Sequence, residues 1–329
     1  MDCRATGAAA FVDAGESALK EPPIRMPDVE VVASAPLIKV AEWRLLQPRF
    51  APAAVVEGDY LYVIGGANGS APSLDTVERV DIRTGKSEVF ARLKIPRLWH
   101  QAVVWGGELH VLGGDSKFAN VRRVERSVEV IDLKTGKVRA GPRMPLSRRE
   151  FGCVVLDGKL YVIGGQYERN GALYTTNRVA VLDLQSEKWV DGPPMPTPRS
   201  SSAVLVAGNF IIVPGGFGRG QKQAVVEVLN PEVGKWSQLP SLSEPRSAHT
   251  SVFIGNHIVM FGDYDHPDQI MAYDLRSKES AIYWLSYKTA RHAAAVAAGH
   301  RVYAVGGIEE KGGAALDTIQ VFERPSARR

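Results

Sequence analysis

The sequence predicts an all-β fold, a six-bladed β-propeller of four-stranded antiparallel blades, and three observations predict it. One hexapeptide recurs six times, as Leu61–Gly66, Leu109–Gly114, Leu160–Gly165, Ile211–Gly216, Ile258–Asp263 and Val302–Gly307. Its first glycines stand at 65, 113, 164, 215, 262 and 306. A period near fifty residues is the signature of a repeat architecture, not of two ordinary domains. The second observation is that every copy has the same flanks, described below. The third lies in the chain ends: the last unit stops at its third strand near Arg324, while Val40–Leu46 resembles a fourth strand standing alone. The N-terminal strand should therefore complete the last blade and abolish the free edge.

Each unit opens on an arginine 16 residues before its first glycine: Arg49, Arg97, Arg148, Arg199 and Arg246, with Arg291 at 15 in the sixth. A short first strand follows, as in Gly152–Leu156, then a tight turn such as Asp157-Gly158, Gly106-Gly107, Gly208-Asn209 or Gly255-Asn256. Such dipeptides tolerate the positive φ of two-residue hairpins, so the strand that ends in the double glycine runs antiparallel beside the first. After a loop of variable length comes a third strand, for example Val77–Asp81 or Arg178–Asp183. In four units a lysine five residues past its closing Asp or Asn marks a turn of constant size. The fourth strand carries an aromatic (Phe90, Trp189, Trp236, Trp284) before a proline-rich link to the next arginine. The double glycine is read as structural, because only a residue without Cβ fits where backbones crowd near an axis. No helix follows it, which argues against a phosphate cradle.

The propeller is expected over residues 36–325, with a poorly ordered tail over 1–35 rich in Ala, Pro and charge, and a short tail over 326–329. The chain has 329 residues, a net charge of +4, which selects no partner by itself, and two cysteines, Cys3 and Cys153, with no CxxC pair. Neither a disulfide framework nor a thiolate zinc site is expected. No apolar run approaches the roughly 18 residues of a membrane-spanning helix, and no secretory leader is visible. The default compartment is the cytoplasm, or the periplasm had a leader been removed, in which case Cys3 would suit a lipid-anchored end.

The combination of an opening arginine, a histidine three residues on in two copies (His100, His249), Leu-Tyr-Val-Ile-Gly-Gly, and a Trp before Met-Pro or Leu-Pro resembles the kelch repeat. The resemblance covers about residues 38 to 324 in six copies and departs in the fifth, which has Gly262-Asp263, and in the sixth, with Ala290 at the usual arginine position. No BTB-like domain is visible, so likeness to the ubiquitin-ligase adaptors of this superfamily covers the propeller alone.

Alternation places the inter-blade links and the loops after the double glycine at one end of the ring, where function is expected. Candidate ligand-binding residues there are Arg97, Arg148, Arg149, Arg199, Arg246, Arg291, Trp99 and Ser201. Trp99, Glu150, Ser201, Ser202, His249 and His292, two or three places past the opening position, should look into the channel if the first strands lie innermost. For the opening arginines the competing reading is structural: hydrogen bonds to loop carbonyls that fix blade packing. Loops of blades two to four add Lys117, Arg122, Arg123, Arg126, Arg169, Arg219 and Lys222, whereas Asp263, Asp265, Asp268, Glu309 and Glu310 belong to blades five and six. One half of the mouth should be basic and suited to carboxylates, since guanidinium clamps them in bidentate fashion.

A cation held by Asp263, Asp265 and Asp268 is the lesser reading of that segment, a solvated turn the greater, and His100 and His249 are read as packing, not as metal ligands. No nucleophile motif is present, no cofactor is called for, and galactose-oxidase-like copper chemistry lacks a Tyr partner for Cys153. Little aromatic and arginine interleaving argues against nucleic acid. Two functions remain, the first favoured: a monomeric binding or scaffold propeller for an acidic small molecule or acidic protein segment, or a carbohydrate-active enzyme. The kelch resemblance extends to acidic-sugar epimerases, and an epimerase or mutarotase of that kind would use Glu150 with His249 or His292.

Overall fold

The computed structural model describes residues 37–118, 121–283, 285, 287–288, 290–309 and 313–325. There is no helix among them, and six four-stranded antiparallel sheets form the blades. Blade one is Ala53–Glu57, Tyr60–Ile64, Thr76–Asp81 and Ser87–Arg92, and blade three is Gly152–Leu156, Lys159–Ile163, Val179–Asp183 and Lys188–Gly192. Blades two, four and five repeat that order, beginning at Gln101–Trp105, Leu205–Ala207 and Thr250–Ile254. Blade six takes Ala294–Ala298, Arg301–Val305 and Thr318–Glu323 from the C-terminal part and is completed by Ile38–Arg44. The closing strand runs antiparallel to Thr318–Glu323, with Arg44 opposite Thr318. Its Trp43 packs on Tyr303 and over Gly85 of blade one. The expected ring closure is thus present; the tails expected over 1–35 and 326–329, and Trp284, lie outside the described residues.

Sequence chemistry explains the regularity. Asp157-Gly158 and Gly106-Gly107 place both turn residues at positive φ, whereas Gly208 and Gly255 do so at the first position only, the two turn geometries that match strand twist. The first strands touch one another in a closed circle from blade one round to blade six, so they lie innermost. Alternate residues of the other strands fill six apolar clusters, one between each pair of neighbouring blades; Tyr161, Val181, Val204 and Val213, for instance, join blades three and four.

The double glycine does its work at these joints. Gly164 has φ of 65°, and a Cβ there would lie 2.5 Å from the carbonyl oxygen of Arg199 in the next blade. Gly306, where the ring closes, would meet the Arg49 carbonyl at 2.3 Å. The second glycine donates its N–H to that same carbonyl, as Gly165 to Arg199 at 2.9 Å and Gly307 to Arg49 at 2.9 Å.

Candidate functional site

The opening arginines point away from the mouth. Arg49, Arg97 and Arg199 are fully buried, and Arg148 and Arg246 nearly so. Arg97 donates to the Gly113 carbonyl at 3.0 Å and to Glu129 at 2.7 Å; Arg49 pairs with Glu78 and Arg199 with Glu227 in the same way. Among the described residues Arg148 has only carbonyl acceptors, Arg178 O at 2.8 Å being one, and Arg246 meets the Gln269 amide oxygen at 2.7 Å. Arg97, Arg148, Arg199 and Arg246 are therefore packing residues and not ligand contacts: each guanidinium is spent on tying the link to its own blade. Sequence reading missed their carboxylate partners, although Glu78, Glu129 and Glu227 occupy one position of the third strand and were there to be aligned.

Two places past each opening position the backbone turns left-handed. Ala51, Trp99, Glu150, Ser201, Ala248 and His292 all have φ between 50° and 56°, a conformation that is uncommon for non-glycine residues. Five of their N–H groups reach back to the preceding member: Trp99 to Ala51 O at 3.1 Å, Glu150 to Trp99 O at 3.0 Å, Ser201 to Glu150 O at 2.9 Å, Ala248 to Ser201 O at 3.1 Å, and Ala51 to His292 O at 2.7 Å. This collar encircles the axis. Below it a cavity of about 310 Å³ runs between the first strands, walled by Ala102, Ala203, Ala295 and Ser251. Above it a cup of about 590 Å³ opens between blades two to six, floored by Trp99, Glu150, Ser201 and His292. Ser202 and His249 lie deeper, along the neck.

The cup is organised by ion pairs. Arg149 donates to Asp115 at 2.7 Å, binds Glu150 with its other terminal nitrogen, and stacks its guanidinium 3.8 Å over the Trp99 ring. Glu150 also accepts from Ser201 Oγ. Burial holds the Asp115 carboxyl above the usual range, against the pull of Arg149 and Arg122. Trp99 meets His292 edge-on at 6.2 Å. Burial pulls the His292 imidazole below its ordinary pKa, with Glu150 opposing. Arg291 donates to the Tyr264 carbonyl at 3.2 Å and lies over the Tyr264 ring at 5.0 Å.

Of the candidates, the structure brings Arg149, Glu150, Trp99, Ser201 and His292 together, with Arg291 behind Tyr264. His249 lies beneath them, lining the neck together with Trp99, Glu150, Ser201 and His292, and its Nδ1 contacts Ser251 Oγ at 2.8 Å. A Cβ on Gly215 would come within 3.1 Å of His249, and one on Gly65 within 2.8 Å of His100, so both histidines pack against the glycine of the preceding blade. Cys153 is remote from the cup, and burial pushes its thiol up to about 12.

The expected split into basic and acidic halves is only partly seen. Within the cup the signs interleave: Lys222 of blade four bridges Asp263 at 2.6 Å and Asp265 at 2.8 Å, so a lysine ammonium stands beside the carboxylates considered for a cation. Burial alone would raise the Asp263 carboxyl, but the Lys222 contact and the backbone N–H groups of Ser247 and Asp265 hold it below the usual range. The basic half survives higher up. Blades two, three and four each extend their loop into a two-stranded hairpin: Asp115–Phe118 with Val121–Val124, Gln166–Arg169 with Ala172–Thr175, and Phe217–Gly218 with Gln221–Lys222. On them Lys117, Arg123, Arg169 and Arg219 are exposed and form no ion pair among the described residues, beside exposed Val121, Leu173, Tyr174 and Phe217. Sequence reading took these segments as plain loops; the alternation of Gln166–Thr175 about Asn170-Gly171 was the available signal.

A closed ring of six such blades, with arginine links buried at the joints and a loop-lined cup at one mouth, defines a kelch-type propeller. Residues 51–263 match the KLHDC2/KLHL20/DRC7 Kelch-repeats domain, and the chain belongs to that kelch-repeat family. Among curated relatives, Kelch repeat and BTB domain-containing protein 12 of Danio rerio is 28% identical over 47% of this chain and 28% of its own length. Kelch repeat-containing protein At3g27220 of Arabidopsis thaliana is 30% identical over 49% of this chain and 42% of its own length. The match thus spans less than half of either relative. A solved structure titled "Structure of YjhT" superposes with a TM-score of 0.72 over 85% of this chain and 99% of that chain at 16% identity, a likeness of fold.

Proposed function

We propose that this kelch propeller is a binding module whose partner is an acidic protein segment, or a small acidic ligand, seated on the basic hairpins of blades two to four. The observation that supports the reading is the company kept by Lys117, Arg123, Arg169 and Arg219: exposed cations without carboxylate partners among the described residues, interspersed with exposed aromatic and aliphatic side chains. Interfaces draw their affinity from such apolar anchors and their steering from the surrounding charge. The test is isothermal titration with an acidic, tyrosine-containing peptide and its basic counterpart. The acidic peptide binds, weakens as salt is raised, and loses about tenfold or more in affinity in the double variant Arg169→Glu/Arg219→Glu. Equal affinity in that variant overturns the proposal.

The second reading, chemistry on an acidic sugar, is favoured by Glu150 and His292 sharing the cup floor. Against it, Arg149, the group that would clamp the sugar carboxylate, is already engaged by Asp115 and Glu150. A thermal-shift screen with sialic acid on the parent protein and Arg149→Ala decides the order. Stabilisation that vanishes in the variant, or measured epimerase activity, puts the enzyme first.

A further inference from the structure

Beneath the hairpins the cup offers a different chemistry. Its charged groups are already matched: Glu150 receives Arg149 and Ser201 on its two oxygens, and Asp263 and Asp265 share Lys222. His292 is half-buried, and that burial pulls its imidazole below its ordinary pKa and so disfavours its charged form. The unpartnered polar groups packed along the cup wall are neutral. Ser200 Oγ is fully buried and lines the cup with no hydrogen-bond partner among the described residues, and the Trp99 Nε1–H is a second buried donor without an acceptor. Buried polar groups are rarely left so, and those that are call for an explanation at the site. Gln166 and Gln221 add side-chain amides to the same wall, each both donor and acceptor. Phe217 and Tyr264 stand at the lip, 37% and 44% exposed. The volume, about 590 Å³, falls within the roughly 300–1,000 Å³ of small-molecule sites.

We propose that the cup is a binding site for an uncharged, hydroxyl-rich ligand of the chemical class of a neutral saccharide, with Gln166 and Gln221 meeting its hydroxyls and Phe217 and Tyr264 flanking its C–H faces. An anion entering here would face the carboxylates of Glu150 and Asp265 and would have to draw Arg149 or Lys222 from them. A cation would compete with Lys222. Either exchange strands a partly buried charge, which is costly, whereas a neutral guest leaves every pair intact. Aromatic rings beside paired donors and acceptors suit a molecule with one apolar face and a polar edge. The site shares Phe217 with the hairpins but none of the exposed cations Lys117, Arg123, Arg169 and Arg219, and it does not depend on the reading given to them.

The test is titration calorimetry of the full chain with galactose, N-acetylglucosamine and chitotriose as uncharged probes, glucuronate as the anion and glucosamine as the cation. At least one uncharged sugar binds, its affinity unmoved by salt and lowered about tenfold or more in Tyr264→Ala and in Gln166→Ala, both of which keep the parent melting temperature. Preference for the trisaccharide assigns the site to a glycan chain, and equal or better binding of a monosaccharide assigns it to a free sugar. Arg169→Glu/Arg219→Glu leaves sugar binding unchanged, which separates this site from the hairpins. Binding of glucuronate or glucosamine alone, no binding of any uncharged probe, or undiminished binding in both cup variants overturns the proposal.

Discussion

At the joint between blades two and three, Gly114 N–H donates to the Arg148 carbonyl at 2.8 Å and Glu150 N–H to the Trp99 carbonyl at 3.0 Å. The joint between blades five and six has neither bond among the described residues. Asp263 stands where the second glycine would be, its side chain turned to Ser247 and Lys222, and the His292 N–H does not reach Ala248. Blade six also lacks the buried arginine and its glutamate, having Ala290 and Gln320 at those places. Side chains hold this joint instead: Phe261 against Phe322 at 5.4 Å and Tyr287 against Phe261 at 5.7 Å, with the Arg291 guanidinium donating to the Tyr264 backbone carbonyl. The five backbone-linked joints include the one where the ring closes, so the weaker joint is not where the chain ends meet. It lies beside the cup, with Tyr264 and Asp265 on one side and His292 on the other. Departures from a repeat accumulate where a site is built, because the repeat pattern serves packing alone.

The largest expected effect tests what holds a regular blade. Glu129 receives Arg97 and the backbone N–H groups of Lys94 and Ile95, all at a buried position. Glu129→Ala leaves a buried guanidinium without its carboxylate and should cost about 3–5 kcal/mol in urea unfolding. Gln320→Ala, the equivalent change in blade six, removes only contacts to the Lys288 backbone and should cost about 1 kcal/mol. Equal losses would erase the distinction between the blades.

The repeat was legible because its parts are chemically fixed: glycine where a carbonyl of the next blade lies under 3 Å from a would-be Cβ, arginine where two or three carbonyls converge, Asp-Gly where a turn needs positive φ. The collar was legible only in part: spacing put Trp99, Glu150, Ser201 and His292 at the channel, but the left-handed conformation they share with Ala51 and Ala248 is imposed by the ring and by no side-chain type. For the same reason the opening arginines looked like a basic rim. Their spacing was visible, but the direction of each guanidinium depends on a strand about thirty residues later. Arg149 and Glu150 were recognisable as neighbours; that Asp115 and Ser201 complete their pairing follows only from three blades meeting at one cup.

Acid should loosen joints on the regular side. His249 is buried against Gly215, and burial, with Arg246 adding to it and Asp263 opposing, lowers its pKa to about 4. His100, against Gly65, is lowered further by burial and by Arg97 and Arg49. Because these folded-state values lie below the unfolded value near 6.5, the unfolded chain binds more protons between them, so the stabilisation is complete above 6.5 and is lost as pH falls toward 4. Asp115, whose carboxyl is raised by burial, works in the opposite sense at the acid end. The stability of the parent should fall by roughly 2 kcal/mol from pH 7 to pH 5 on account of His249, and His249→Gln should flatten that slope. An unchanged slope would remove the histidine from the joint's energetics.

Hydrogen exchange compares the joints directly. The amides of Gly66, Gly114, Gly165, Gly216 and Gly307 donate across blades. Those of Asp263 and His292 do not, and should exchange about tenfold faster or more, since local opening exposes groups that few bonds restrain. If peptides spanning residues 262–264 and 290–293 are as protected as those spanning 164–166, the fifth joint is no weaker than the rest.

The smallest effect is a gain. Blade three has the buried arginine but Ala180 where blades one, two and four have glutamate, and burial, with Arg178 nearby, lowers the Arg148 pKa to about 10. Ala180 pairs with Val162 just as Glu129 pairs with Val111, so a glutamate there would meet Arg148 in the geometry of the other blades. Part of the advantage is forfeited: the residue that matches Lys94 is Pro145, which has no N–H to give the second carboxylate oxygen. Burying the new carboxylate costs nearly what the ion pair returns, but the guanidinium is already desolvated, so only one desolvation remains. Ala180→Glu should therefore stabilise by about 1 kcal/mol in urea unfolding, with the gain absent in Ala180→Gln. A loss instead would mean that the space opposite Arg148 has been taken over by the apolar packing of Val162 and Leu182, and that blade three belongs with blades five and six in having left the repeat's scheme.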